Sequence, residues 1–79
     1  MPKRKKEGTS NLIGHNIIRI RKEQGMDQQT LLAQLQVFGI DISQSSLSRL
    51  EGKQRAATDA EVKALAEIFQ IPMEQLFTP

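Results

Sequence analysis

Apolar residues recur in this chain at the spacing of one face of an α-helix, and this pattern limits its fold more than any other feature. They lie three or four positions apart in four stretches, which predicts four helices that each bury one side. A short fifth helix is predicted with Pro72 at its first position and with Met73, Leu76 and Phe77. The sequence therefore predicts an all-α, compact five-helix bundle. The four stretches contain Ile13, Ile17 and Ile20; Leu31 and Leu35; Leu47 and Leu50; and Val62, Leu65, Ala66 and Phe69.

Residues that favour helix ends lie beside each stretch. Thr58 and Glu61 have the S/T-x-x-E spacing of a capping box and give the clearest boundary. The N-caps are predicted at Ser10 or Asn11, Asp27, Ser43 and Thr58, and the helix ends at Gly25 and Gly52.

The segment between the second and third helices is VFGIDIS, which is long for a turn. Gly39 permits a positive φ angle, and Ile40 and Ile42 alternate with Asp41. We expect both isoleucines to point inward from a short extended piece.

Length and cysteine content restrict how the fold is stabilised. A chain of 79 residues forms one small domain, and without cysteine it has neither disulfides nor thiolate metal sites. No apolar run approaches the roughly 18 residues of a membrane span, and the basic N-terminus leads into no hydrophobic signal core. We therefore expect a cytoplasmic domain that packing alone stabilises.

Catalytic groups are sparse. The single histidine, His15, has no second imidazole and no carboxylate at i+4, and we interpret it as a surface or boundary residue. The sequence has no glycine-rich phosphate loop and no recognisable pair of catalytic carboxylates. An enzyme is thus the least supported class, and we expect no metal, cofactor or small-molecule ligand.

Charge is distributed unevenly along the chain. Residues 1–55 hold ten Lys and Arg against five Asp and Glu, a net +5, whereas residues 56–79 hold one against four, a net −3. A positive segment of this kind indicates a polyanionic partner. Residues 1–10 are predicted to form a flexible arm, and residues 11–79 the domain. The arm, with Lys3, Arg4, Lys5 and Lys6, either contacts phosphates or a groove, or serves as a solubilising tail.

The third helix, at about 44–51, carries unusually many serines. Serine lowers helix propensity, so packing alone does not explain them. When Leu47 and Leu50 point inward, an outward face without bulky apolar residues remains. That face either contacts a polar partner or is simply solvated. It consists of Gln44, Ser45, Ser48 and Arg49.

Two short helices joined by a turn, with a polar face on the second, form the layout of a helix-turn-helix. The chain resembles the lambda-repressor-like, Cro-type (XRE-type) DNA-binding domain over residues 12–78. The resemblance implies a five-helix fold, operator DNA as the ligand, and a homodimer on a near-palindromic site. The matching residues are Ile13-Gly14, Ile17, Arg21, Gly25, Gln28, Leu31, Ala33, Leu35, SQSSLSRLEG from Ser43 and LAEIFQIPMEQLF from Leu65.

The resemblance also implies roles for single residues. Gln28 matches a glutamine that commonly binds a phosphate, and Ser43 matches a cap that also reaches the DNA backbone. Gln44, Ser45 and Arg49 match positions that commonly meet base edges. Independently of the resemblance, Gln44 suits a bidentate pair with adenine, and Arg49 suits one with guanine.

Further phosphate contacts are predicted from position. Gln28 and Gln29 occupy the first turn of the second helix, where free N–H groups attract anions. Lys53 and Arg55 follow the third helix and suit phosphates. Alternatively, Arg49 pairs with Glu51 or with an acid of the first helix, and Arg55 is solvated.

Three departures from the family pattern affect these roles. Leu32 occupies a place where the family usually has alanine, and the turn before the third helix is about four residues longer than the common form. These two features together would shift the third helix outward and alter the depth of Gln44 in a groove. Gly52 stands one place early, which affects the role of Lys53.

A protein-interaction module is the main alternative function. Its binding surface would be an apolar patch near the C-terminus. In our preferred interpretation, part of this patch forms core and part forms a homodimer seam. The patch contains Phe69, Ile71, Met73, Leu76 and Phe77.

Overall fold

Helices make up the fold of the residues that the structure describes. The computed structural model covers the backbone of residues 3–78 and the side chains of residues 13–78. Within these bounds there is no strand, and the all-α prediction is confirmed. The elements are α1 (Lys3–Glu23), α2 (Gln28–Val37), α3 (Gln44–Glu51), α4 (Asp59–Phe69) and a 3₁₀ helix (Met73–Phe77). Pro72 is the N-cap of this last helix and not its first residue as predicted, because its ψ of 146° is extended.

One hydrophobic core lies between these elements, and the helical spacing predicts nearly all of it. The inward isoleucines of α1 and the leucine pairs of α2 and α3 are buried, as predicted, and so is Leu76 of the 3₁₀ helix. Val62 is only half-buried at the edge of the core. The core residues are Ile13, Ile17, Ile20, Leu31, Leu35, Ile42, Leu47, Leu50, Ala64, Leu65, Ala66, Phe69 and Leu76.

Three of the four predicted N-caps are confirmed. The Asp27 carboxylate accepts a hydrogen bond from the Thr30 N–H at 2.8 Å, which lowers the pKa of Asp27. Ser43 accepts from the Ser46 N–H, and Thr58 and Glu61 form the reciprocal capping box. These local signals fix the starts of α2, α3 and α4.

The start of α1 differs from the prediction. The helix begins at Lys3 and continues through Ser10 and Asn11, so neither of those residues is its N-cap. Lysine, arginine and glutamate favour helix in the preceding segment although it lacks apolar spacing. The side chains of the basic arm (Lys3, Arg4, Lys5 and Lys6) lie outside the described residues, and the roles predicted for them stay predictions.

The segment between α2 and α3 has the predicted form. Gly39 has φ +87°, Ile42 is buried, and Ile40 is half-buried. The Gln36 side chain donates to the Ile42 carbonyl at 3.0 Å and so fixes the extended piece to α2. α3 therefore begins from a segment that is attached to the core.

Asn16 links α1 to the C-terminal segment of the described chain. Its side chain is fully buried on α1, and its amide nitrogen donates to the carbonyls of Leu76 at 2.8 Å and Thr78 at 2.7 Å. A buried amide needs such partners. The 3₁₀ helix is therefore held against α1 as well as against α4.

Candidate nucleic-acid interface

α3 has two contrasting sides. Leu47 and Leu50 are fully buried beneath it. The predicted outward face is exposed, and its residues line one open depression of the surface. These residues are Gln44, Ser45, Ser48 and Arg49.

The end of α3 is held by an ion pair with α1. The Arg21 guanidinium donates to both Glu51 carboxylate oxygens, at 3.0 and 3.2 Å, and to the Met26 carbonyl. The side chains of Arg21 and Glu51 are 11% and 6% exposed. A bidentate pair with so little exposure has a defined geometry. The interpretation that Arg49 pairs with Glu51 is therefore wrong, and within residues 13–78 Arg49 is in no salt bridge.

Gln28, at the start of α2, connects this ion pair with the outward face. Its amide nitrogen donates to Glu51 at 3.1 Å. Its amide oxygen faces α3, where the Gln44 nitrogen lies 3.4 Å away and the Ser48 hydroxyl 3.5 Å away. The structure thus brings Gln28, Gln44 and Ser48 together. Gln29 is exposed beside them.

Backbone atoms of α1 and α3 come close at Gly14. A Cβ atom on Gly14 would lie 2.6 Å from the Leu50 carbonyl oxygen and 3.1 Å from that of Glu51. Only glycine fits at that distance, because the contacting atoms are backbone. This explains on packing grounds why a glycine follows Ile13.

The turn after α3 places Lys53 at the surface. Gly52 has φ −84°, and the positive φ of +67° belongs to Lys53. A non-glycine residue in this conformation is destabilised by about 1 kcal/mol. Lys53 is exposed and its stem lies beside Gly14. Its predicted phosphate contact stays a prediction.

Arg55 is in an internal network, so the interpretation that it is simply solvated is wrong. Its guanidinium donates to both carboxylate oxygens of Glu61 at 2.9 Å, and to the carbonyls of Ser46 and Ala56. The network joins α3 to the start of α4. Burial raises the pKa of Glu61, but the bonds from Arg55 and Thr58 outweigh it, and the pKa is lowered.

The C-terminal apolar patch divides into two parts. Phe69 and Leu76 are buried in the core, so they do not belong to the surface predicted as a dimer seam. Ile71 is half-buried, whereas Met73 is 46% and Phe77 39% exposed. With Val62, the exposed pair lines a groove that Asp59, Lys63 and Glu74 border.

The buried ion pair of Arg21 and Glu51 is indicated by the positions of the two residues in the sequence. Glu51 follows Leu47 by four positions and Arg21 follows Ile17 by four, so both charges lie on inward stripes. A charge on a buried stripe requires a partner. The pairing of Arg21 with Glu51 could therefore be predicted from the sequence. The position of Gln28 beside this pair could not, because it depends on the fold.

Comparison with known proteins gives one match. A family model described as helix-turn-helix matches residues 17–76, from α1 into the 3₁₀ helix. No curated protein and no solved structure matches the chain. In the part of the chain that the structure describes, no helix combines the length and apolar character needed to cross a membrane.

Proposed function

Since the chain belongs to the XRE-type, lambda-repressor-like helix-turn-helix family of DNA-binding regulators, we propose that it is a repressor that binds duplex DNA sequence-specifically through α3. The observation that carries this proposal is the exposed face of Gln44, Ser45, Ser48 and Arg49 above a fully buried leucine pair. α3 has eight residues and is about 12 Å long. An α-helix with side chains is about 10–12 Å across, and the major groove, about 12 Å wide, admits it.

Base contacts come from the two long polar side chains of the face. Gln44 directs one N–H toward Gln28 and keeps a second N–H and its carbonyl, which form the pair that reads adenine. Arg49, with no salt bridge among residues 13–78, suits the two acceptors of guanine. Ser45 and Ser48 are short enough to let the helix approach the groove floor.

Phosphate contacts come from the periphery of this face. The exposed Lys53, the start of α2 with Gln28 and Gln29, and the cap Ser43 lie around α3 and suit backbone oxygens. The basic residues of the arm would add further contacts. Because its guanidinium is engaged with Glu61, Arg55 positions α3 in this proposal and does not contact phosphate.

We further propose a homodimer on a near-palindromic operator, with Ile71, Met73 and Phe77 in the seam. The groove near Met73 and Phe77 is apolar and bordered by charges of both signs, which suits contact with an identical surface. The same groove supports the alternative, a protein-interaction module. Salt dependence separates the two, because only DNA binding loses affinity steeply as salt rises.

Selection from a random duplex library tests the reading role. We expect a defined motif from the wild type, loss of preference at one base position with Gln44→Ala, and uniformly weaker binding with Lys53→Ala. Molecular mass with and without the selected site gives the stoichiometry. An unchanged motif with Gln44→Ala would contradict the proposed role of α3.

A further inference from the structure

The hydrogen bonds of Gln28 have a fixed direction. Glu51 accepts from Arg21, and an ionised carboxylate only accepts, so the Gln28 group that faces it is the amide NH₂. The Gln28 carbonyl oxygen must then point the other way, toward α3. It can only accept there, and Gln44 and Ser48 face it as donors.

This direction limits what Ser48 can do. A serine hydroxyl has one hydrogen to donate and two lone pairs that accept. The Ser48 oxygen lies 3.5 Å from the Gln28 carbonyl oxygen and is also exposed on the outward face. When its hydrogen points toward Gln28, only its lone pairs remain for a ligand at that face.

We propose, resting on the function proposed above, that Gln28 makes Ser48 a hydrogen-bond acceptor toward DNA, and that Ser48 therefore selects an exocyclic amine. The amines in the major groove are N6 of adenine and N4 of cytosine, whereas O6 of guanine and O4 of thymine only accept. Gln28 is the positioning residue, and the buried ion pair sets its orientation.

The test first identifies the base that faces Ser48. Library selection with the wild type gives the motif, and selection with Ser48→Ala identifies the position at which the preference disappears. Duplexes with each of the four bases there are then titrated against the wild type, Gln28→Ala and Gln34→Ala. Gln34 is the matched control, an exposed glutamine of the same helix to which no DNA contact is assigned.

We expect the wild type and Gln34→Ala to bind adenine or cytosine at this position about three- to tenfold more tightly than guanine or thymine. In Gln28→Ala the Ser48 hydroxyl is free to donate, and the preference should shrink to less than about twofold. Circular dichroism checks that Gln28→Ala is folded. A uniform loss of affinity in this variant would leave the ratio of affinities between duplexes with different bases unchanged.

A preference for guanine or thymine, or an unchanged preference in Gln28→Ala, would overturn the inference while leaving the proposed function intact. A Ser48→Ala motif identical to the wild-type motif would do the same. If the wild type selected no motif at all, the proposed function would fail and this inference with it.

Discussion

The two ends of α3 are held by different kinds of interaction. At the C-terminal end of α3, the buried Glu51 is bound by Arg21 and Gln28, and the backbone of α1 lies against α3 at Gly14. At its start, the Ser43 cap is exposed, and the tertiary contacts include the buried Ile42, the bond from Arg55 to the Ser46 carbonyl and the bond from Gln44 to Gln28.

This difference teaches how a polar surface helix is kept in place. Two of the four residues proposed to read DNA, Gln44 and Ser45, lie at the start, where hydroxyls and an exposed cap predominate. The geometry is fixed mainly from the opposite end, where charges are shielded from water. Variants at the end of α3 should therefore change stability more than variants at its start.

The largest effect is expected from Glu51→Ala. Removing the carboxylate leaves the Arg21 guanidinium partly buried without its partner, and the free energy of unfolding should fall by about 3 kcal/mol or more. Urea denaturation measures it, with the exposed Glu67→Ala as the control. A loss below about 1 kcal/mol would mean that the ion pair does not hold this end.

Gly14→Ala should have the next largest effect. Alanine normally stabilises a helix interior relative to glycine, but here its Cβ would meet the Leu50 carbonyl at 2.6 Å. We expect a loss of about 1–3 kcal/mol of unfolding free energy from this overpacking. His15→Ala, an exposed neighbour on α1, should change it little. Stabilisation by Gly14→Ala would show that the helices separate easily.

Acid should weaken the attachment near the start of α3. The folded-state pKa of Glu61 is lowered, so its contribution is present above the unfolded-state pKa and is lost as pH falls through the folded value. Stability should therefore decline below about pH 4, and less steeply in Glu61→Gln than in the wild type. Thermal melts across pH 2–7, about the range where carboxyls titrate, measure this. Equal slopes would exclude Glu61 as a source of the decline.

The smallest effect is expected from Ser43→Ala, which removes the N-cap of α3. Loss of such a cap destabilises by about 1 kcal/mol. Ser45→Ala, two positions later and exposed, should be neutral within about 0.5 kcal/mol because it makes no cap bond. If the two variants were equally stable, the cap would contribute nothing, and the start of α3 would be held by its tertiary contacts.

The parts of this fold that the sequence predicted are those with local causes. The caps at Asp27, Ser43 and Thr58 each act on a backbone N–H three residues away, and the core leucines follow helical spacing. The start of α1 was predicted wrongly because residues 3–9 lack apolar residues at helical spacing, and the cap-type residues Ser10 and Asn11 lie within the helix.

Partners distant in sequence were not predicted. Glu51 finds Arg21 thirty residues away, and Asn16 finds Leu76 sixty residues away. The pairing of Arg55 with Glu61, only six residues on, was also not predicted, because it depends on how the loop returns to α4. The outward face of α3 was predicted correctly as exposed, while the position of Gln28 beneath it required the fold.

The bonds of Asn16 also bear on the order in which the domain is completed during translation. α1 leaves the ribosome before the other described helices, yet its buried Asn16 amide obtains its acceptors only when residues 76–78 have emerged. Until then a nascent chain has a polar group on its packing side without a partner, and closing so long a loop carries an entropic penalty. Final consolidation of the domain therefore requires that residues 76–78 have left the ribosome.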